Sequence, residues 1–285
     1  MHFDPAILQF LAAPFAASLI LTGIHTYLGV HVVERGVIFV DLSLAQIAAL
    51  GATVAMLLPF SGGDPHAPGV YWFSLGFTFI GAAVFSLIHH GQKSRIPQEA
   101  VIGISYAVAS AASILAMSQS TAQGEHLKDM LVGNILAVGW SDVAKTAALY
   151  SAIGLFHFIN RKRFLQISMH PEEAMAEGVR LRLWDFMFYA SFGFVVTSSV
   201  SIAGVLLVFC YLIVPSVGAM LYAESIGARL AIGWTMGTVV SALGVYLSLM
   251  MDLPTGATIV CTFGLVLAAM AILKPLIRPS VHAVS

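Results

Sequence analysis

Asp41 and Gln46 lie inside FVDLSLAQIAALG, residues 39–51, a stretch that otherwise reads as an apolar helix. An ionisable group at membrane depth costs several kcal/mol, so each one is a functional hypothesis. At a rise of about 1.5 Å per residue, Gln46 falls near the centre of a spanning helix, with Asp41 roughly a turn and a half below it. The two are about 140° apart around that helix, so they chelate one ion only with a kink or with help from another helix. Ser43 and Gln46 do share a face, being three residues apart. A hydroxyl and an amide make a poor zinc site, since zinc takes imidazole and thiolate, and they suit a harder cation or plain hydrogen bonding. His25, deep in the first apolar run, reads equally as a packed imidazole bonded to a neighbouring helix and as a ligand.

The elements that position these groups are membrane spans. The chain has 285 residues, 59% of them hydrophobic and 9% charged. Its mean hydropathy is +0.90, whereas an average soluble domain is about a quarter charged. A formal charge of -1 gives a nucleic-acid partner no electrostatic support. Cys210 and Cys261 both lie in apolar runs and read as small core hydrophobes rather than as a disulfide or zinc pair. MHFDPAILQF carries no basic n-region, and the first apolar run is expected to be a retained span.

Runs of about 20 mostly apolar residues fall at roughly 7–33, 37–58, 70–90, 97–118, 141–159, 185–201, 203–223, 229–250 and 253–274. The expectation is an all-α bundle of eight to nine spans forming one domain over residues 1–285. The run 129–138 has the length of a half-helix, and 185–223 admits more than one break. Lys93 and Arg95, the group Arg161, Lys162, Arg163, Arg180 and Arg182, then Arg229, and finally Lys274 and Arg278 fall in alternate loops. The intervening loops hold only Lys128, so the basic loops and the tail belong in the cytoplasm, and an odd number of spans leaves the N-terminus outside.

The only long charged loop, NRKRFLQISMHPEEAMAEGVRLRLWD, contains a short helix signal. Pro171 suits its first turn, Glu172 and Glu173 complement the positive end of its dipole, and Gly178 suits its stop. It reads either as a solvated connector or as a docking knob for a peripheral protein.

Other polar residues have plainer readings. Asp142 and Asp252 are expected at outer-face helix starts, Glu99 at a cytoplasmic helix start, and His157 near a cytoplasmic helix end. His31 and Glu34 read as interfacial anchors, with Arg35 a partner for Glu34. His126 and Asp129 lie near the outer mouth, where a surface loop or a weak entry site would fit, and His89 and His90 read as interfacial.

Several blocks carry a resemblance. EEAMAEG, through Glu172, Ala174 and Gly178, is similar to the EAA–x–x–x–G signature of ABC importer permeases, which forms the helix that seats on the ATPase subunit. YLGVHVVERGVIFVDLSLAQIAALG, EAVIGISYAVASAASIL, LVGNILAV, the pair GVLLV and LIVPSVGAML, and GVYLSLMMDLPTGATIV appear in this order. Together they closely resemble the permeases of the ABC family 3 metal importers, the zinc, manganese and iron uptake class. The resemblance implies a type II importer architecture in a bacterial inner membrane. It also implies a second permease chain, two ATPase subunits and a solute-binding protein, with metal crossing between the permeases. Family members usually carry an Asp and a His four residues apart in the second span. With Arg35 and Gly51 as anchors, Gln46 stands at the His position and Leu42 at the Asp position, so this chain departs twice. It also lacks a GxxxxGK[ST] loop, so no nucleotide cofactor is expected on it and ATP would be hydrolysed by a partner. A permease for a chelate or other organic ligand is the alternative cargo. A membrane-embedded redox subunit, which would want paired histidines at depth, is a more remote one.

Overall fold

A computed structural model describes residues 5–61, 64, 67–87, 97–118 and 135–277. Among them are eleven α-helices: α1 Pro5–Glu34, α2 Val40–Met56, α3 Pro68–Leu87, α4 Gln98–Met117, α5 Trp140–Ile159, α6 Arg161–Met169, α7 Pro171–Ala176, α8 Leu181–Ala203, α9 Val205–Met220, α10 Ile226–Met251 and α11 Thr255–Ile277. Six of them (α1, α3, α4, α8, α10 and α11) are long and apolar enough to cross a membrane. The apolar α2 and α9 are shorter, at 17 and 16 residues. α5 fills the expected 141–159 run but carries Asp142 and Lys145 near its start.

The segment 185–223 breaks at Gly204, whose φ of +75° separates α8 from α9; only glycine adopts such an angle without strain. Of the expected half-helix at 129–138, a 3₁₀ turn at Ile135–Ala137 is seen, and the rest lies outside the described residues. His89, His90, Lys93, Arg95, His126, Lys128, Asp129 and Arg278 also lie outside them.

Consecutive helices do not simply stack. α2 packs on α3 and α4, with α8 beyond, whereas α1 packs on α9, α10 and α5. The α1–α9 contact is close because Gly29 has no side chain: a Cβ there would sit 2.0 Å from the Leu212 carbonyl oxygen. The core where the two groups meet contains Leu28, Val40, Leu44, Phe188, Phe192, Val208 and Leu212. Outward-facing apolar residues such as Ile104, Val108, Leu115, Leu265 and Ile272 are exposed on the isolated chain, as lipid-facing positions are. Cys261 is among the exposed positions rather than in the core, while Cys210 is partly buried.

Candidate translocation and coupling sites

Asp41 occupies the first turn of α2 and is 1% exposed. Neither of its carboxylate oxygens has a hydrogen-bond partner among the described residues, nor does the buried Ser43 hydroxyl. Gln46 lies further along α2 and is 9% exposed. His25 is wholly buried, and its Nδ1–H donates to the Leu21 carbonyl at 2.8 Å. That bond fixes the tautomer and leaves Nε2 with a lone pair and no partner. The His25 ring meets Tyr150 edge-on, with centroids 6.2 Å apart. The Tyr150 hydroxyl meets Ser198 Oγ at 3.1 Å. Tyr150 thus links the buried His25 ring to Ser198.

Buried polar groups are normally satisfied, and a buried carboxylate is neutralised by a counter-charge or by a proton. An imidazole lone pair, a carboxylate and a hydroxyl form a nitrogen–oxygen donor set suited to a borderline or hard divalent cation. Among the described residues, no group of three or more His, Cys, Asp or Glu side chains is gathered closely enough to hold a metal ion. One chain therefore supplies a few scattered donors rather than a closed cage.

At the end of the bundle opposite the 160–184 segment, a cleft of about 440 Å³ opens between α3, α5 and α8. Tyr71, Asp142, Lys145, Thr146, Ser198 and Ser201 are among its lining residues. Ser198 thus faces the cleft and also bonds Tyr150. Asp142 Oδ2 accepts from the Gly139 N–H at 3.2 Å, the expected helix-start role. Asp252 does not start a helix. It ends α10 in the left-handed region, with φ +53°.

At the other end of the bundle the ion pairs differ from expectation. Arg35 does not pair with Glu34; Glu34 bonds Arg229 on α10. Arg35 Nη1 donates instead to Asp185 Oδ1 on α8 at 2.7 Å, with side chains 2% and 4% exposed. Its Nε donates to Ser168 Oγ on α6 at 2.9 Å, and its guanidinium lies 4.1 Å from the Phe188 ring centroid. His31 is no interfacial anchor but is buried, with Nδ1 2.8 Å from the same Ser168 Oγ. His157 is likewise buried. Ser191 gives its proton to the Phe188 carbonyl, so it accepts from His157 Nε2–H at 2.8 Å, which leaves Nδ1 to accept from Tyr27 at 3.4 Å. Glu99 reaches across to accept from the Phe39 N–H at 3.0 Å, which serves the start of α2 as well as its own helix. The sequence held one signal for this network: an Arg and an Asp at the apolar margins of spans, both needing partners. Their separation of 150 residues hid the pairing.

The 160–184 loop is largely helical, made of α6, α7 and the start of α8. Ala174 is fully buried against Ile167 and Leu181, with Val179 and Trp184 packed around them. Glu172, Glu173 and Met175 point outward. α7 ends as the glycine predicts: Gly178 has φ +74°, its N–H donates to the Met175 carbonyl, and the Val179 N–H donates to the Ala174 carbonyl, each at 3.0 Å. This pair of bonds is a Schellman stop.

A bundle of long apolar helices with polar groups enclosed at depth defines a multi-pass membrane protein. The family model described as the ABC 3 transport family matches residues 7–274, and the chain belongs to that family. Family membership makes it a membrane permease of a transporter, not a member of a catalytic enzyme family, and places it in the bacterial cell membrane. It is 31% identical over 202 residues to a manganese transport system membrane protein, MntC, of Listeria innocua, covering 68% of this chain and 71% of that one. It is 22% identical over 257 residues to a chelated iron transport system membrane protein, YfeC, of Yersinia pestis, covering 90% and 84%. Among solved structures, a chain of PsaBC from Streptococcus pneumoniae in complex with Fab superposes with TM-score 0.75 at 23% identity, covering 95% of this chain and 92% of that one. The fold is therefore shared with that protein.

Proposed function

We propose that this chain is the membrane-spanning subunit of an ATP-driven importer for a divalent metal ion, manganese or iron in the first instance and zinc in the second. The observation that carries this reading is the family match across residues 7–274. The name of the manganese transport relative supports a metal ion as cargo over an organic ligand. In this reading α5, α2 and α9 join the six longer spans to make nine passes in a single permease domain over residues 1–285. The chain pairs with a second permease chain, receives its ion from a solute-binding protein and depends on a separate ATPase, which hydrolyses the ATP. That ATPase docks on the outward side of α7 through Glu172 and Glu173, while the buried Ala174 seats the helix on Ile167 and Leu181 and Gly178 sets its end.

The ion's route runs from the outer cleft past Ser198 and Tyr150 to His25, Asp41, Ser43 and Gln46. Asp41, Ser43 and His25 are enclosed within one chain rather than lying on its surface. An ion therefore reaches them only when helices of that chain part, a refinement of passage along the seam between two permeases. Asp41 supplies the charge that offsets lost hydration, and His25 Nε2 supplies a lone pair.

The test is uptake of labelled manganese and iron by cells that lack their own importer and express this chain with its ATPase and binding protein. Uptake is expected with the native chain, and Asp41→Asn is expected to abolish it. Gln46→His is expected to shift preference toward zinc. No response to any divalent ion would overturn the cargo, and unchanged transport in both variants would remove these residues from the route.

A further inference from the structure

We propose that Arg35 is the link that carries movement of the 160–184 segment into α1 and thereby opens the space around His25 and Asp41; this rests on reading the chain as an ATP-driven permease. The segment is gripped on both sides of α7 by one side chain. Ser168 lies shortly before Pro171 on α6, Asp185 lies in the early part of α8, and Arg35 at the end of α1 bonds both. His31, one turn earlier on α1, holds the same serine. A rigid displacement of α6 and α8 at this level therefore pulls on α1.

The other pairs in the segment cannot substitute. Arg163–Glu177 is 48% and 58% exposed at 3.4 Å, and His170–Glu173 is more exposed still; exposed pairs of this kind couple weakly. The Arg35 junction is buried, and the Phe188 ring lies against the guanidinium. Its Nη2 is buried and makes no hydrogen bond among the described residues, and the Tyr189 hydroxyl lies beside the guanidinium. This spare donor lets the fork swing onto Asp185 in a second arrangement as the elements slide, and discrete alternatives of this kind are what a transmitting contact needs.

The geometry gives the pull a target. α1 carries His25, and α2 carries Asp41 and Ser43. α1 packs on α5, α9, α10 and α6, and α2 on α3, α4 and α8. Because these two helices keep different company, a shift of α1 that carries α9 with it across the close Gly29–Leu212 contact changes the distance between the imidazole and the carboxylate.

The experiment compares Ser168→Ala and Arg35→Lys with the native chain. Each is reconstituted in liposomes with the ATPase and the binding protein, and Mn²⁺ alone is the probe ion. Ser168→Ala removes one oxygen and leaves the Arg35–Asp185 pair in place, so it is expected to assemble. Lys keeps the charge but loses the fork. Both are expected to retain the ATPase and to hydrolyse ATP within about twofold of native, while ions moved per ATP fall about tenfold, a typical coupling between sites. Parallel loss of hydrolysis and uptake at a constant ratio, or an unchanged ratio in Ser168→Ala, would make Arg35 a mere staple and overturn the link. If the native chain itself retained no ATPase, the permease reading would fail instead.

Discussion

Replacing Gly178 isolates the backbone contribution to the exposed end of α7. No heavy atom lies within 4 Å of where a Cβ would stand, so added bulk meets nothing and the whole penalty is conformational. A residue other than glycine held near φ +74° loses roughly 1–2 kcal/mol, with Asn affected least and a β-branched residue most. Opening of this turn should therefore become easier in the order Gly, Asn, Ala, Val. One kcal/mol is about a fivefold change in an equilibrium, so the Val179 amide, which donates to Ala174, should exchange its hydrogen about five times faster in Gly178→Ala. Amides in the middle of α8 should be unaffected. Exchange measured by mass spectrometry on the detergent-solubilised chain reads this directly. A native rate in Gly178→Ala, or an Asn variant looser than the Val variant, would refute the assignment of this stop to backbone conformation.

Three other substitutions test packing and charge. Asp252→Gly relieves the one non-glycine positive φ among the described residues and should stabilise by about 0.5–1 kcal/mol, raising the thermal midpoint by ~2 °C. Asp185→Ala strands the buried Arg35 guanidinium and should cost about 3–5 kcal/mol, seen as early unfolding in a thermal scan; Asp185→Asn should lose less. Gly29→Ala places a carbon 2.0 Å from the Leu212 carbonyl oxygen, so α1 and α9 must separate. A loss of roughly 1–3 kcal/mol, or more, is expected, read as reduced yield of monodisperse protein.

Length and hydropathy were enough to locate the nine apolar helices, though not the polar α6, because a run of apolar residues in lipid must satisfy its own backbone. Each of the nine expected runs contains a helix, and even the ambiguous 185–223 region breaks within a few residues of the expected place, at Gly204. The stop of α7 was equally legible, since Gly178 serves a local geometry that depends on its own neighbours. What sequence could not show was partnership. Arg35 next to Glu34 suggests a pair, yet on a helix adjacent residues diverge by about 100°, and each found a partner on another helix. Asp252, beside Pro254, looked like a helix start, whereas the preceding helix runs on and uses it as its end. For the polar residues of α2, spacing on one helix showed that Asp41 and Gln46 do not converge. It could not show that His25 and Tyr150 come in from other helices, because that is decided by packing.

The separate packing of α1 and α2 also bears on how the chain is made. α2, α3 and α4 are neighbours in sequence as well as in space, so they should find one another as soon as they enter the membrane. The main partners of α1 are α9 and α10, and Gly29 meets Leu212 only after most of the chain has been synthesised. Until then Thr22, His25 and Thr26, all buried in the finished bundle, face lipid or the insertion machinery. Contacts this distant in sequence form late, so the helix that brings an imidazole to the route is also the one left longest without its neighbours. Ribosome-stalled chains ending before α9 should accordingly show α1 still open to crosslinking from the insertion machinery, with α2–α4 already protected.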